Sequence, residues 1–295
     1  MSYCNNCTVK YNDYHSENIF TWCTNCGNFG VEAATKRALM EEGIKPKDVL
    51  MCFDIGCHGN GADKIGGYRF HGLHGRVIPL AAGAALANQD ITVFASGGDG
   101  GTLSEGINHL VHAIRSDYNF VFLLHNNANY GLTTGQPSAT SKKDVPMNSA
   151  PDGLSEDTLH VMNFVLSLNP SFAARTFSGD VKHMTKVIRE GINHKGFAFI
   201  EVFQSCPTYN KETPHEWYQE RVYDVSTLKD YKGDNLEKAR KIGEDMEENV
   251  AIGVLYQDRD RDDFLARQKN RSEFKTELVE EVGKVDISAL VKKFT

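Results

Sequence analysis

The sequence lacks the features that would place the protein in a membrane or on nucleic acid. No apolar run reaches the ~18–20 residues that a bilayer-spanning helix needs. Lys and Arg number 32 against 39 Asp and Glu, and the resulting net charge of −7 disfavours a role that requires a concentrated basic surface. Residues 1–20 contain no basic region followed by an apolar core, so no secretory signal is indicated and we expect a cytoplasmic protein.

The cysteines indicate metal or cluster ligation more than disulfide bonding. Structural disulfides are rare in a reducing compartment, and an odd count of 7 leaves at least one cysteine unpaired. Two pairs have the spacing Cys-x-x-Cys that is typical of metal sites. The cysteines are Cys4, Cys7, Cys23, Cys26, Cys52, Cys57 and Cys206.

The middle of the chain alternates short apolar runs with helical patterns, without an internal repeat. Such runs, several rich in Val, Ile and Phe, are typical of strands buried on both faces. The alternation predicts an α/β fold, a doubly wound parallel sheet whose ligands bind at the carboxyl ends of the strands. Cys52 falls in the first of these strands and is interpreted as a buried apolar residue. Strands are predicted at 49–55, 91–96, 119–125, 172–178 and 197–203, and helices at 30–43, 76–88, 103–115, 155–167 and 180–194.

The composition changes after about residue 207. This part is strongly charged, with one apolar strand-like run at 250–255 and helices predicted towards the end. We interpret it as a C-terminal extension that wraps the core or a partner. The predicted organisation is an N-terminal segment at 1–18, a ligand-binding domain at 19–206 and the extension at 207–295.

Residues 97–101 read Gly-Gly-Asp-Gly-Gly and directly follow a predicted strand. Glycines let the backbone approach a phosphate closely, and the N-terminus of the following helix favours an anion. Asp99 adds a hard carboxylate of the kind that binds Mg²⁺ together with phosphate oxygens. Taken alone, the segment is equally well explained as a surface turn.

The next predicted strand ends in Asn-Asn-Ala-Asn-Tyr-Gly at 126–131. An Asp-Gly segment followed about one βα unit later by Asn-Asn resembles the thiamine-diphosphate motif. In that motif the Asp, an Asn and a main-chain carbonyl complete a magnesium shell around the diphosphate. By position, the resemblance assigns these roles to Asp99, Asn127 and the carbonyl of Asn129.

The first two cysteine pairs admit a different interpretation. Their spacing, CxxC-x15-CxxC, is that of a zinc ribbon. On spacing alone this zinc site is favoured, although it would leave Cys57 and Cys206 without a role.

Three longer segments resemble the β subunit of the 2-oxoacid:ferredoxin oxidoreductases. They are WCTNCGNFG at 22–30, DIGCHGNGADKIGGYRFHGLHGR at 54–76 and CPTYN at 206–210. GGDGG and NYGLTTGQPSAT at 129–140 also follow in the family's order, so the resemblance covers residues 19–210. In this family four such cysteines bind one 4Fe–4S cluster, which requires four thiolates. The resemblance assigns the cluster to Cys23, Cys26, Cys57 and Cys206 and leaves Cys4 and Cys7 outside the family pattern.

The resemblance also implies the residues around thiamine diphosphate. The histidine of the HGR segment lies at the thiamine site in the family. No catalytic residue is expected in this chain, because the glutamate that activates the aminopyrimidine belongs to a pyrimidine-binding domain for which the chain has no room. That domain is expected on an α subunit, in an αβ or α2β2 assembly. The predicted cofactor-binding residues are His74, Gly98, Asp99, Gly100, Gly101, Asn127, Gly131, Leu132 and Thr133.

The activity that the resemblance implies is the oxidative decarboxylation of a 2-oxoacid. Coenzyme A would accept the acyl group, CO₂ would leave, and ferredoxin would accept the electrons. The implied cofactors are thiamine diphosphate, Mg²⁺ and one 4Fe–4S cluster, since the chain has no CxxCxxCxxxCP run of the two-cluster ferredoxin type. β subunits of this type act on 2-oxoglutarate, pyruvate or branched 2-oxoacids, and the short two-subunit organisation favours 2-oxoglutarate or a broad specificity.

Two other functions remain open at this point. A non-oxidative thiamine-diphosphate decarboxylase or ligase would use the diphosphate site but would not need four placed cysteines. A zinc-ribbon binding module would use the first two cysteine pairs and bind no thiamine. A visible spectrum of anaerobically purified protein separates the three functions, since a zinc site gives no visible absorbance.

Overall fold

The computed structural model describes residues 9–269, 278–280 and 286–294. Within these ranges the strands are β1 (Val49–Phe53), β2 (Tyr68–His71), β3 (Thr92–Gly98), β4 (Phe120–Asn126), β5 (Phe172–Phe177), β6 (Phe197–Phe203), β7 (Val222–Asp224) and β8 (Val250–Gln257). The α-helices are α1 (Asn28–Glu41), α2 (Val77–Ala87), α3 (Ile107–Ser116), α4 (Val161–Ser167), α5 (Val181–Ile192), α6 (His215–Arg221), α7 (Leu236–Gly243) and α8 (Ser288–Val291). None of the described helices is long and apolar enough to cross a bilayer.

The strands form one sheet in the order β2-β1-β3-β4-β6-β5-β8-β7. All pairings from β2 across to β5 are parallel, β8 runs antiparallel to β5, and β7 is parallel to β8. The predicted α/β fold with a doubly wound sheet is therefore confirmed, in a mostly parallel form. The chain moves from β1 outwards to β2 and then returns to β3 on the other side of β1. Such a reversal opens a crevice at the carboxyl ends of β1 and β3.

Helices cover both faces of the sheet because its central strands are apolar on both sides. On one face, buried residues of α2, α3, α4 and α7 pack against the sheet, and Leu110 and Ala239 are inaccessible to solvent. On the other face, α1 and α5 pack through residues such as Leu39 and Ile188. These two cores hold the strand ends at the crevice in fixed positions.

The predicted central strands are confirmed to within a few residues, and two helices begin later than predicted. The prediction of a helix at 103–115 is wrong at its start, because Gly100–Glu105 form a π-helix and α3 begins only at Ile107. π-Helical turns of this kind are frequent at functional sites. α4 begins at Val161, not at residue 155. β2 was not predicted, since it is an edge strand with every residue exposed and therefore lacks a buried apolar run.

The region after residue 207 adds strands to the sheet. The predicted run at 250–255 lies within β8, whose residues pair with β5 from Phe172 to Arg175. Ala251 and Leu255 are fully buried in the same core as α2 and α3. This charged part of the chain therefore extends the edge of the sheet and shares its core.

Candidate functional site

Two predicted site residues, Asp99 and Asn127, and one that was not predicted, Asp54, lie at the carboxyl edge of the sheet. Asp54 follows β1, Asp99 follows β3, and Asn127 follows β4. Since these three strands are neighbours and parallel, their carboxyl ends lie side by side. The crevice that the topology creates is therefore lined by carboxylate and amide side chains.

Asp99 is buried and its carboxylate is held by two hydroxyl donors and by backbone N–H groups. Thr140 Oγ1 donates to Asp99 Oδ2 over 2.7 Å, and Ser138 Oγ donates to the same oxygen. The backbone N–H of Asn127 is a further donor to this carboxylate. Burial raises the pKa of Asp99, and these hydrogen bonds oppose the rise. The loop therefore presents a positioned carboxylate, as a hard divalent cation requires.

The asparagines after β4 are fixed by one another. Asn127 Oδ1 accepts the backbone N–H of Asn129 over 3.2 Å, and Asn129 Nδ2 donates to the carbonyl of Asn127 over 2.8 Å. Asn210 Nδ2 donates to the same carbonyl over 3.2 Å. Asn127 and Asn129 are thus brought to Asp99, but the amide oxygen of Asn127 is engaged with the backbone.

A buried polar chain continues from Asp99 through the sheet. Thr140 Oγ1 lies 2.9 Å from Asn126 Oδ1, and Asn126 Nδ2 donates to Glu201 Oε1 over 2.8 Å. Glu201 Oε2 accepts from Arg175 Nε over 2.9 Å, with both side chains 1% exposed. The Arg175–Glu201 pair thus anchors the Asp99 loop from inside the sheet.

The glycines of residues 97–101 allow close approaches that a side chain would block. A Cβ on Gly98 would lie 2.8 Å from His58 Cε1, and one on Gly100 would lie 2.5 Å from Tyr130 Cζ. A Cβ on Gly101 would overlap Asp54 and would lie 2.9 Å from the His74 ring. The glycines are therefore required here by contacts with neighbouring side chains.

His74 lies at the same edge, beside Gly101 and Tyr130. Its Nδ1 is 3.0 Å from Glu105 Oε1, and its ring meets the Tyr130 ring edge-on at 5.9 Å between centroids. Asp54 Oδ1 accepts the backbone N–H of Gly75 over 2.8 Å and so holds the turn that carries His74. The second oxygen, Asp54 Oδ2, is buried without a hydrogen-bond partner among the described residues. Burial raises the pKa of Asp54.

Gly131, Leu132 and Thr133 form the turn beyond the asparagines. A Cβ on Gly131 would lie 3.1 Å from Asn129 Oδ1 and 3.2 Å from Cys57 Sγ. Leu132 is 49% exposed, and Thr133 lies at the surface, where its hydroxyl donates to Gln136 Oε1. The turn packs against Asn129 and Cys57 through Gly131, whereas Leu132 and Thr133 are exposed to solvent.

Four free cysteines come together beside this turn. Burial raises the pKa of the Cys57 thiol to about 12, and the neighbouring thiols of Cys26, Cys206 and Cys23 contribute further to the rise. The pKa of Cys26 is likewise raised, by burial first and also by Cys206 and Cys23. Cys206 Sγ is 4.0 Å from Asn129 Oδ1. Cys52 is buried in β1, as expected, and Cys4 and Cys7 lie outside the described residues.

The described residues contain no group of three or more His, Cys, Asp or Glu side chains that converges on a single metal ion. Four thiols are nevertheless near enough to one another that, in addition to burial, Cys26, Cys206 and Cys23 raise the pKa of Cys57. Four thiolates are the donor set that a 4Fe–4S cluster requires, and structural zinc ions also take four thiolates.

A cavity of about 50 Å³ lies between α1 and the sheet, behind Gly98. Its polar wall includes Asn28, His58, Ser96 and His125, and its apolar wall includes Phe53 and Leu123. His58 Nε2 and Asn28 Nδ2 have no hydrogen-bond partner within the described part of the chain. Burial lowers the pKa of both histidines, that of His125 to about 4, so the rings are neutral.

Comparison with known proteins agrees with this geometry. Residues 54–202 match the family model described as "Thiamine pyrophosphate enzyme, C-terminal TPP binding domain", and residues 206–273 match the model for the C-terminal part of the pyruvate ferredoxin oxidoreductase β subunit. The 2-oxoacid:ferredoxin oxidoreductase subunit beta of Sulfolobus sp. is 38% identical over 249 residues, which are 80% of this chain and 81% of the relative. The chain belongs to the β subunits of the 2-oxoacid:ferredoxin oxidoreductases.

Two further relatives of this β subunit are named as 2-oxoglutarate enzymes. The 2-oxoglutarate synthase subunit KorB of Methanocaldococcus jannaschii is 34% identical over 192 residues, covering 64% of this chain and 70% of the relative. A solved chain of the 2-oxoglutarate:ferredoxin oxidoreductase from Magnetococcus marinus, with 2-oxoglutarate, coenzyme A and succinyl-CoA bound, has a TM-score of 0.87. It is 29% identical, and the match covers 97% of this chain and 96% of that chain.

The predicted family, the oxidoreductase class and the thiamine-diphosphate-binding domain of this β subunit are confirmed. The roles of individual ligands and the cytoplasmic location stay predictions. Several residues at the site were not predicted, namely Asp54, Glu105, Ser138, Thr140, His125 and Gln204. Ser138 and Thr140 lie just after Pro137 in the NYGLTTGQPSAT segment. Their small hydroxyl side chains within this motif are the local sequence feature that could have indicated them.

Proposed function

We propose that this β subunit binds the diphosphate end of thiamine diphosphate with Mg²⁺ and holds one 4Fe–4S cluster for the oxidative decarboxylation of a 2-oxoacid. The observation that carries the proposal is the position of Gly131. A Cβ on Gly131 would lie 3.1 Å from Asn129 Oδ1 and 3.2 Å from Cys57 Sγ, so the asparagine turn after β4 packs against one of the four cysteines. A redox enzyme needs this proximity because electrons must leave the cofactor for the cluster.

The magnesium assignment rests on the chemistry of the donors after β3 and β4. Asp99 supplies a buried carboxylate held by two hydroxyl groups and by backbone N–H groups. Asn127 and the carbonyl of Asn129 would supply neutral oxygens, and the diphosphate the remainder, as Mg²⁺ prefers. For Asn127 Oδ1 to bind the ion, it would have to release the backbone N–H of Asn129.

The cluster assignment rests on the four grouped thiols. In addition to burial, the thiols of Cys206 and Cys23 raise the pKa of both Cys26 and Cys57. Cys57 lies beside Gly131, and Cys206 Sγ is 4.0 Å from Asn129 Oδ1. A bound cluster would supply one-electron transfer from the thiamine site towards ferredoxin. The cysteines of this chain would hold it, and the partial burial of Cys26 and Cys57 would limit its contact with water.

The partner of this chain would be an α subunit with a pyrimidine-binding domain, in an αβ or α2β2 assembly. All six parallel strands belong to one doubly wound sheet, which leaves no second such domain among the described residues. The diphosphate site would then face the subunit interface. The C-terminal extension at 207–295 is a second candidate for contact with the partner, since its many charges suit a partly polar interface.

The substrate class that we propose is 2-oxoglutarate, or a broad range of 2-oxoacids that includes pyruvate. The names of the relatives from Methanocaldococcus jannaschii and Magnetococcus marinus support 2-oxoglutarate. Coenzyme A would accept the acyl group to give the acyl-CoA and CO₂, and the solved relative from Magnetococcus marinus has coenzyme A bound.

The test is a viologen-reduction assay of the co-expressed α and β chains against a panel of 2-oxoacids, with coenzyme A and thiamine diphosphate. We expect turnover with 2-oxoglutarate, its loss in Asp99→Ala, and no loss in Asp152→Ala, an exposed control position. The β subunit alone, reconstituted with iron, sulfide, Mg²⁺ and thiamine diphosphate, should not turn over. Substantial activity of the isolated chain would refute the two-subunit assignment, and acyl transfer without viologen reduction would indicate a non-oxidative enzyme.

A further inference from the structure

A second buried polar chain runs from Cys26 into the core. Gln204 Nε2 lies 3.8 Å from Cys26 Sγ, and Gln204 Oε1 lies 3.0 Å from His125 Nδ1. On the other side of the ring, His125 Nε2 is 2.7 Å from Ser96 Oγ. All three core side chains are less than a tenth exposed. The four residues thus form one continuous set of contacts at the ends of β3, β4 and β6.

The hydrogens of this chain can be assigned from its acceptors. His125 Nδ1 faces two carbonyl oxygens, Gln204 Oε1 at 3.0 Å and Asn28 Oδ1 at 3.1 Å, so Nδ1 must carry the ring hydrogen. Nε2 then accepts the hydrogen of the Ser96 hydroxyl. With its oxygen held by His125, the amide of Gln204 can present only its NH₂ group to Cys26.

The stem of Gln204 is also fixed in place. A Cβ on Gly27 would lie 2.8 Å from Gln204 Cγ, so the backbone beside Cys26 packs directly on this side chain. Gly27 N–H donates to the carbonyl of Ser205 over 3.0 Å, which ties the Cys26 loop to the end of β6. The stem is therefore held beside the Cys26 loop, and the orientation of the amide at its end depends on His125.

A thiolate that binds iron has no hydrogen and is purely an acceptor. An N–H group directed at it stabilises the more negative, reduced form of the cluster and so raises its reduction potential. We propose that Gln204, oriented by His125, is a positioning residue for Cys26 that donates to its sulfur and raises the reduction potential of the cluster. The inference rests on the proposed role of Cys26 as a cluster ligand.

The experiment is an anaerobic redox titration of the co-purified α and β complex, followed by visible and EPR spectra. Gln204→Met keeps the length of the side chain and removes the donor, and Gln204→Glu puts an acceptor in its place. We expect the oxidised-to-reduced ratio at a fixed potential to rise about tenfold in Gln204→Met, a shift of about 59 mV for one electron. The shift should be larger in Gln204→Glu, because a carboxylate repels the thiolate.

The matched control is Gln257→Met, whose amide contacts His194 at the far edge of the sheet. Its potential should equal that of the wild type, and an unchanged potential in Gln204→Met would overturn the inference. If Gln204→Met does not retain its cluster, His125→Phe decides, since it leaves the amide in place but removes its orientation and should also lower the potential. An unchanged reduction potential in His125→Phe would likewise overturn the inference. A wild-type complex without a 4Fe–4S signal would refute the proposed function itself. That outcome is distinct from an unchanged reduction potential in the variants, which would refute only the role of Gln204.

Discussion

Thr140 and Asp99 are joined by a hydrogen bond of 2.7 Å between Oγ1 and Oδ2, within the crevice at the carboxyl edge of the sheet. The same hydroxyl oxygen lies 2.9 Å from Asn126 Oδ1, which Glu201 and Arg175 hold from inside the sheet. Thr140 therefore connects the carboxylate that would bind Mg²⁺ to the rigid interior.

Removing this hydroxyl should weaken magnesium binding without removing a ligand. In Thr140→Val we expect the affinity for Mg²⁺ at saturating thiamine diphosphate to fall about tenfold, the typical cost of losing an outer-shell partner. Equilibrium dialysis of the αβ complex measures it. Thr185→Val is the matched control, because Thr185 is similarly buried and donates only within α5. Equal affinities in both variants would contradict the positioning role of Thr140.

Loss of a proposed magnesium ligand should weaken cofactor binding to an extent that depends on the charge of that ligand. Asp99→Ala removes a carboxylate and should lower the affinity for thiamine diphosphate about a hundredfold, or roughly 3 kcal/mol. Asn127→Ala removes a neutral oxygen and should lower it about tenfold, since Asn127 also shapes the turn through Asn129. Calorimetric titration of thiamine diphosphate with Mg²⁺ tests the order. Unchanged affinity in Asp99→Ala would remove the main argument for the magnesium site.

Gly100 should not tolerate a side chain. An added Cβ would lie 2.5 Å from Tyr130 Cζ, and overpacking costs about 1–3 kcal/mol. We expect Gly100→Ala to lower the melting temperature and to weaken diphosphate binding. Gly83→Ala is the control, because no atom lies within 4 Å of its added Cβ and alanine favours a helix by about 0.5–1 kcal/mol. A Gly100→Ala protein as stable as Gly83→Ala would show that the contact is easily relieved.

The cysteine grouping can be tested one residue at a time. Cys206→Ala should abolish or convert the cluster and reduce the visible absorbance, because one thiolate of four is lost. Cys52→Ala should retain the full spectrum, since Cys52 is buried in β1 and is not among the thiols grouped around Cys57. Cys4→Ala should also retain it. Loss of the cluster in Cys4→Ala but not in Cys206→Ala would favour the zinc-ribbon grouping.

Acid should destabilise the fold through its buried histidines. Burial lowers the pKa of His194 to about 4, whereas the unfolded chain has the ordinary value of 6.5. Between these values the unfolded state binds a proton that the folded state does not, so stability is lost as pH falls from 6.5 towards 4. Between pH 7 and pH 4.5, this single group lowers the free energy of unfolding by about 2.5 kcal/mol.

His194→Gln removes that contribution. Its free energy of unfolding should therefore fall less than that of the wild type over the same interval, by about 2.5 kcal/mol. Urea unfolding at both pH values provides the comparison. Equal losses in the two proteins would mean that His194 becomes protonated without unfolding.

Much of the fold could be inferred from the residues alone, because burial requires a local pattern of apolar residues. Strands such as β4 and β6 are buried at every position, and their continuous apolar runs can be recognised without the structure. β2 carries no such pattern, since it lies exposed at the edge, and its place beside β1 depends on pairing with a segment elsewhere in the chain. The π-helix after Asp99 could not be predicted from the sequence either. Its glycines are needed because Tyr130, Asp54 and His74 lie close to them in the folded protein.

At the site, the resemblance carried by short motifs predicted roles for the Asp99 and Asn127 segments and for the four cysteines, whereas the cysteine spacing alone favoured a zinc site that includes Cys4 and Cys7. Only the tertiary structure decided that Thr140, Glu201 and Arg175 support Asp99 and that His125 orients Gln204 towards Cys26. These partners lie far apart in sequence and are ordinary polar residues individually. Their roles arise from hydrogen bonds across neighbouring strands, which exist only once the sheet has brought the strand ends together.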